Sequence, residues 1–352
     1  MSVIVVLLGL GGAVLLYGLF LRLCFRRVTV TRSFSRKALF EGETGEMVEV
    51  VTNPTPLMIP WLRLESSLPE QLHFGGMENL RVSGGRHHLS FFTLLPYKRI
   101  TRRHRVTFAG RGIFEAGNAA VTAGDLLGLN QAERQISEPV RVIVWPRLLQ
   151  ESELPQPLIR IFGELPMRRA APDPFLISGI RPYRAGDPVR DIHWPASDRM
   201  GSPQVRVHDR TGAMRLLTVL CGDQSPDQWG SLSESEMPSA EHGIRIAATL
   251  CLRALRGGMA AGFAVNFDRG DGESLVLMPE GGPAWEEKIL TAMAKLRLKR
   301  TVRCQTFLKT LHGADGMDIL LLMPPGFPPP EEEMARLRAE GSQVEICPAE
   351  VR

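Results

Sequence analysis

Asp223, Ser225 and Asp227 place three oxygen-bearing side chains at alternate positions just after the apolar run MRLLTVLC, and no other residues in this chain are better spaced for chemistry. Hard cations take carboxylate and hydroxyl oxygens, so Asp-x-Ser-x-Asp at the end of a buried strand is a candidate site for Mg²⁺, and through it for metal-dependent hydrolysis. The competing reading is a loop capped by its own Asp and Ser side chains, and it is the one we favour; no metal is assigned. A second dense stretch, SGIRPYRAGDPVRDIHWPASDR over residues 178–199, holds four Arg, three Asp, a Tyr, a His and a Trp. Asp187, Asp191 and His193 are chemically capable of ligation or proton transfer. Their spacing matches no ligand pattern, however, and no Ser or Cys stands in a nucleophile elbow nearby. Gly186 permits a tight turn, Asp187 is placed to cap a helix, Pro188 suits its first position, and Pro195 is expected to end it after Arg190, Asp191 and His193. The stretch reads as Arg and Asp pairs around Tyr183 and Trp194 that pin a junction between domains. No catalytic residue is assigned.

A third candidate is the basic stretch Arg81 to Arg111, in which Arg99, Arg102, Arg103, His104 and Arg105 alternate with Phe91, Phe92, Tyr97 and Phe108. Basic and aromatic residues interleaved in this way track phosphates and stack bases. A solvated strand face near anionic lipid accounts for them more simply, and no nucleic acid is expected.

These residues need elements to position them. Residues Ser2 to Leu21 are uncharged and mostly apolar, long enough at roughly 1.5 Å per residue to cross a hydrocarbon layer of about 30 Å. No basic residue precedes the run, whereas Arg22, Arg26 and Arg27 follow it, the reverse of a cleaved signal peptide. The positive-inside rule then predicts a single-pass anchor over 1–27 in the inner membrane, with the bulk of the chain cytoplasmic. From Val28 to about Trp145 short runs such as VTVTRSFS, GEMVEVVTN and RHRVTFAG alternate with period two between Gly, Pro and Asn, which predicts an antiparallel β-sandwich over 28–150. Residues 151–210 are linker and the dense stretch just described. Beyond Thr211 buried strands (MRLLTVLC, GFAVNFD, SLVLMPE, DILLLMPP, QVEICP) alternate with helical periodicity over 241–256 and 283–298 and with a helix starting at Pro329 or Pro330, predicting a doubly wound α/β domain over 211–352. Ligands in such sheets sit beyond the carboxyl ends of the strands.

The 352 residues carry a formal charge of +4, with 36 Arg against six Lys, too mild to indicate a nucleic-acid partner. Five scattered cysteines without a C-x-x-C pair suggest neither a disulfide framework nor zinc, and a reducing compartment.

Two resemblances add to this reading. Asp223, Ser225 and Asp227 are similar to the metal-ion-dependent adhesion site of von Willebrand factor type A domains, with Asp227 in place of the second Ser and no Asp ending DILLLMPPG. RPYRAGDPVRDIHWPASDR resembles the signature of the domain-of-unknown-function-58 family at Arg181, Tyr183, Gly186, Asp187, Arg190, Ile192, Trp194, Ser197 and Arg199. Pro182 stands where the signature has Glu, and Asp198 where it has Ala. FEGETGEMVEVVTNPT, GRGIFEAGNAAVTAGDLLGL and VRVIVWPRL resemble further segments of the family. The resemblance implies a membrane-tethered protein with a von Willebrand factor type A-like tail, encoded beside a MoxR-type AAA+ ATPase and sometimes transglutaminase-like membrane proteins, and acting with them in maturation of other proteins. Together these readings lead us to expect a non-enzymatic adaptor without a cofactor, in which Arg181, Tyr183, Gly186, Asp187, Arg190, His193, Trp194 and Arg199 make interdomain or partner contacts. Hydrolysis at Asp223 and nucleic-acid binding through residues 81–111 are the alternatives.

Overall fold

The computed structural model describes residues 2–67, 72–74, 81–83, 87–116, 119–125, 130–136, 139–160, 177–184, 187–208, 214–223, 228–312 and 316–349. Gly186, Ser225 and Asp227 lie outside the described residues, as do parts of 81–111 and 151–210. The chain forms two compact units, Met1–Arg147 and Leu148–Arg352.

The first unit opens with helix α1 (Ser2–Arg27), which continues past Leu21 through the three arginines and is long and apolar enough to cross a membrane. Its strands are β1 (Thr29–Phe34), β2 (Ala38–Phe40), β3 (Thr44–Thr52), β4 (Ile59–Ser67), β5 (Leu72–Phe74), β6 (Arg81–Ser83), β7 (His87–Leu94), β8 (Arg99–Phe108), β9 (Gly112–Ala116), β10 (Ala119–Gly124), β11 (Gln131–Ile136) and β12 (Val140–Trp145). One sheet runs β1-β3-β8-β5 and another β11-β10-β4-β7-β6; β2, β12 and β9 make a third, smaller one. Alternation does the folding here. In β3 the residues Gly45, Met47, Glu49 and Val51 point inward and their neighbours outward, so Val51 joins Leu62, Leu64, Phe92 and Val121 in one core cluster and Met47 joins Val106, Phe108 and Val144 in another.

Glu49 takes an inward position in that pattern. It is fully buried and lies opposite Arg32 on β1 and Arg102 on β8, while its Oε2 meets His104 Nε2 at 3.0 Å and accepts the Ser90 hydroxyl at 3.2 Å. A buried carboxylate is tolerable only when paired and hydrogen-bonded, and the sheet register supplies both.

In the second unit β13 (Ile177–Pro182) pairs antiparallel with β14 (Gln204–His208), and helix α2 (Trp194–Met200) lies between them in the chain. The rest is a sheet of β15 (Arg215–Leu220), β16 (Gly230–Ser231), β17 (Ala260–Asp268), β18 (Ser274–Glu280), β19 (Arg297–Arg300), β20 (Asp318–Met323) and β21 (Gln343–Pro348). Its order is β16-β19-β17-β15-β20-β21, with β18 also on β17; β17, β15, β20 and β21 are parallel neighbours. Helices α3 (Met237–Arg256), α4 (Pro283–Lys295), α5 (Cys304–Thr310) and α6 (Glu331–Ala339) connect them. Leu217, Val219 and Cys221 of alternate positions pack against Phe307, Leu308 and Leu337 of α5 and α6. On the opposite face, Gly243 of α3 sits so close to Leu220 that a Cβ would press into it. The sheet is thus covered on both sides, as its unbroken apolar strands require.

Candidate functional site

Two places in the second unit gather the polar residues singled out from the sequence. The first lies beyond the carboxyl ends of β15 and β17. Asp223 follows β15, is 1% exposed, and has both oxygens engaged: Oδ1 accepts Asn266 Nδ2 at 2.7 Å and Oδ2 accepts the Cys304 backbone N–H at 2.6 Å. Asn266, buried on β17, closes the link by accepting the Gly222 N–H at 3.0 Å and donating to the Val302 carbonyl. Arg300, at the end of β19, donates to the Gly222 carbonyl at 2.9 Å and to Glu236 at 2.7 Å, with its Nε 3.6 Å from Asp223. Burial pushes the Asp223 carboxyl above its ordinary range, against the downward pull of the Cys304 N–H, Asn266 and Arg300. Burial also opposes ionisation of Glu236, but hydrogen bonds from Ser233 and from Arg300 outweigh it and hold that carboxyl low.

This is a strut. Each Asp223 oxygen accepts from a protein donor, and among the described residues no three His, Cys, Asp or Glu side chains come together to share an ion. The adjacent cavity, lined by Cys221, Gly222, Glu236, Ser239, Phe267 and Pro324 among others, measures ≈ 20 Å³, of the order of a water site. Asn266 and Arg300 escaped the sequence reading, although a polar residue inside the apolar run GFAVNFD was the available signal.

Cys221 and Cys304 are joined by a disulfide, with Cα atoms 5.6 Å apart. This corrects the expectation that the cysteines are all unpaired. A separation of 83 residues leaves no local pattern, and only the crossover that brings the start of α5 against the end of β15 makes the pair. Cys24, Cys251 and Cys347 are free and buried; burial pushes the last two thiols up to about 12.

The second place is the hairpin of β13 and β14. Arg181 grips Asp187 with both guanidinium nitrogens, each at 2.7 Å, and the Arg184 N–H donates to the same carboxylate at 2.8 Å. The Arg181 hydrogen bonds, with the Arg184 N–H next, lower the Asp187 carboxyl to about 2. Asp187 is therefore spent on Arg181 and caps no helix. A single 3₁₀ turn over Val189–Asp191 follows; Ile192 bridges to Val205. The expected helix end at Pro195 is the beginning of α2, because the first helical turn has no use for the N–H that proline lacks. His193 caps it, Nδ1 accepting the Ala196 N–H at 3.1 Å, and Gly201 closes it in the left-handed region at φ 63°. Ser197 Oγ accepts the Gln204 N–H at 2.8 Å and donates to the His193 carbonyl, so α2 is clasped to β14.

The aromatic residues do not sit inside this clasp. Trp194 is 67% exposed and Met200 69%, with Ile180, Tyr183 and Val189 also on the surface. Arg190 points to solvent, its nearest carboxylate being its neighbour Asp191 at 4.0 Å. The packed knot around Tyr183 and Trp194 is thus replaced by one part-exposed clamp, Arg181 with Asp187, beside outward-facing apolar and cationic side chains.

The basic stretch of the first unit divides by strand alternation. Arg99, Arg103 and Arg105 face outward on β8, Arg103 beside Glu46 at 3.4 Å. Arg102 turns inward over the Phe92 ring at 4.0 Å, and His104 meets Glu49. Two of these five basic residues therefore serve the interior.

The family model for Protein of unknown function DUF58 matches residues 179–299. That segment belongs to the DUF58 family. It begins inside β13 and ends in β19, so the DUF58 match takes in Arg181, Asp187, α2, β14, Asp223, Asn266 and the sheet as far as β19. Among solved structures the chain is similar to a non-cellulosomal cohesin from the hyperthermophilic archaeon Archaeoglobus fulgidus, at 10% identity over 35% of this chain and 94% of that one, TM-score 0.24. It is similar also to a CARDB domain from Pyrococcus furiosus, at 12% identity over 33% and 93%, TM-score 0.22, and to Salmonella alpha-2-macroglobulin, at 18% over 34% and 7%, TM-score 0.23. No curated protein matches the chain.

Proposed function

We propose that this protein is a non-enzymatic adaptor held in the membrane by α1, presenting the DUF58 clasp to a MoxR-type AAA+ ATPase during maturation of other proteins. One observation carries the proposal: in the polar, aromatic segment after β13 Arg181 pairs with Asp187 through two hydrogen bonds while Val189, Trp194 and Met200 face outward. Exposed Trp beside Arg is the composition of an interface anchor. The ATPase itself is inferred from the family resemblance.

A metal-dependent hydrolase is the poorer reading, since Asp223 would have to release Cys304 and Asn266 to bind a cation. Nucleic-acid binding is poorer too, with Arg102 and His104 turned inward. We read the sheet, whose β18 runs antiparallel at the side of β17, as von Willebrand factor type A-like. Arg22, Arg26 and Arg27 favour a cytoplasmic second unit; the Cys221–Cys304 bond in that compartment depends on its burial, since both sulfurs are shielded from cytosolic thiols.

The test is photo-crosslinking in native membranes from a reactive analogue at Val189, with the exposed position Val276 on β18 as control. The account predicts an adduct with the MoxR-type ATPase from Val189 and none from Val276. Equal yields, or no ATPase adduct from Val189, would overturn it.

A further inference from the structure

The first unit carries an exposed apolar end with no role in the adaptor surface. Two loops form it, residues 53–58 between β3 and β4 and residues 95–98 between β7 and β8. Both loops lie where β1 begins, since Thr29 pairs with Thr52 and Thr52 with Arg99. Asn53 stitches them together: its Nδ2 donates to the Leu57 and Leu95 carbonyls, its Oδ1 accepts from Thr55, and its N–H donates to the Lys98 carbonyl. Tyr97 is the only non-glycine residue at positive φ (53°) among the described residues, held there by its N–H on the Thr55 carbonyl. That conformation costs of order 1 kcal/mol and turns the ring out of the fold. Tyr97 is 70% exposed, Leu95 49% and Met58 38%. Lys98 and Arg99 are exposed beside them.

The path of α1 says what covers this end. Arg134, in the middle of β11, donates to the carbonyls of Arg26 and Val28 and stacks on Phe25. Toward its N-terminus the helix runs along β11 until a Cβ on Gly18 would collide with Asn130, just before that strand. Gln131 pairs with Gly124, Gly124 with Trp61, and Trp61 stands next to the loop that ends at Met58. The helix therefore leaves the sandwich at its loop end. A span of about 30 Å needs about 20 residues, and the uncharged run ends at Leu21, before Arg22. Gly18 already touches the sandwich, so the contacting end of the sandwich enters the boundary layer along with residues 18–21.

We infer that Met58, Leu95 and Tyr97 form a second membrane contact, seated in the headgroup layer of the bilayer that α1 crosses, with Lys98 and Arg99 on anionic headgroups. Tyr suits the interface because its ring is apolar and its hydroxyl wet, and the cations strengthen binding where lipids are anionic. The contact fixes the tilt and height of the sandwich over the membrane. It rests on the reading of α1 as an anchor.

The test uses the full chain in phosphatidylcholine nanodiscs, with and without phosphatidylglycerol, labelled with an environment-sensitive fluorophore at Met58→Cys or Leu95→Cys. Leu8→Cys reports the anchor and Arg36→Cys the opposite end of β1. Lipids with a spin label near the headgroup should quench the labels at 58 and 95 several-fold more than the label at 36, and more deeply with phosphatidylglycerol. Quenching at 8 with none at 58 or 95 beyond that at 36 would overturn the contact and leave the anchor standing. Absence of quenching at 8 would overturn both.

Discussion

Asp223 illustrates how a residue with the spacing of a metal ligand becomes a structural strut. It ties the end of β15 to β17 and α5, and truncation would strand the Cys304 N–H, one Asn266 proton and part of the Arg300 charge in a dry interior. Asp223→Ala should destabilise the second unit by about 3 kcal/mol, the scale of a broken buried pair, read as a lower urea midpoint, and added Mg²⁺ should leave wild-type stability unchanged. A Mg²⁺-dependent rise lost in the variant would restore the metal reading. Asp187 has a pH signature of its own. Its folded carboxyl sits at about 2, below the ordinary 3.8, so its stabilising effect is complete above 3.8 and disappears as pH falls through about 2. Corrected for intrinsic rates, hydrogen exchange at the Arg184 amide should accelerate over that interval in wild type and be fast and flat in Asp187→Asn; identical profiles would refute the clamp. At this scale the sequence showed which residues were chemical and misjudged their partners. Arg181 reaches Asp187 six residues on, in the segment that follows β13, and Asp223 meets Asn266 and Cys304 from far along the chain, contacts that no spacing rule contains.

Elements were far more legible, because strands and helices are written in local periodicity. The β3 alternation, the apolar β15 and β20, and the triple Glu in the first turn of α6 all stand where their patterns predicted. Pro195 was misread because proline marks a helix start as readily as a stop, and His193 before it was the overlooked cap. The Cys221–Cys304 bond was hidden for a topological reason: it joins the ends of two elements that only the completed sheet makes adjacent. Its chemistry is easily checked. Alkylation of denatured, unreduced protein should modify Cys24, Cys251 and Cys347 alone, and reduction should add Cys221 and Cys304. In the native state Cys251 and Cys347 should stay unmodified, being buried and held near 12. Five modified cysteines without reductant would remove the bond.

For the whole molecule, a long apolar N-terminal helix and the order of β-strands before α/β sheet were readable from composition and period, whereas the exposure of the clasp was not. A Trp amid Arg and Asp looks like packing material until burial shows that its ring faces water. On the proposed function, this outward face binds the ATPase. The most direct measurement is the affinity of a MoxR-type ATPase from the same genome for the full chain in nanodiscs, with ATP and without nucleotide, for wild type and Trp194→Ala. Nucleotide-dependent binding weakened about tenfold or more by the substitution, some 1.4 kcal/mol, is the predicted result. Binding that ignores Trp194, or none in any nucleotide state, would contradict it.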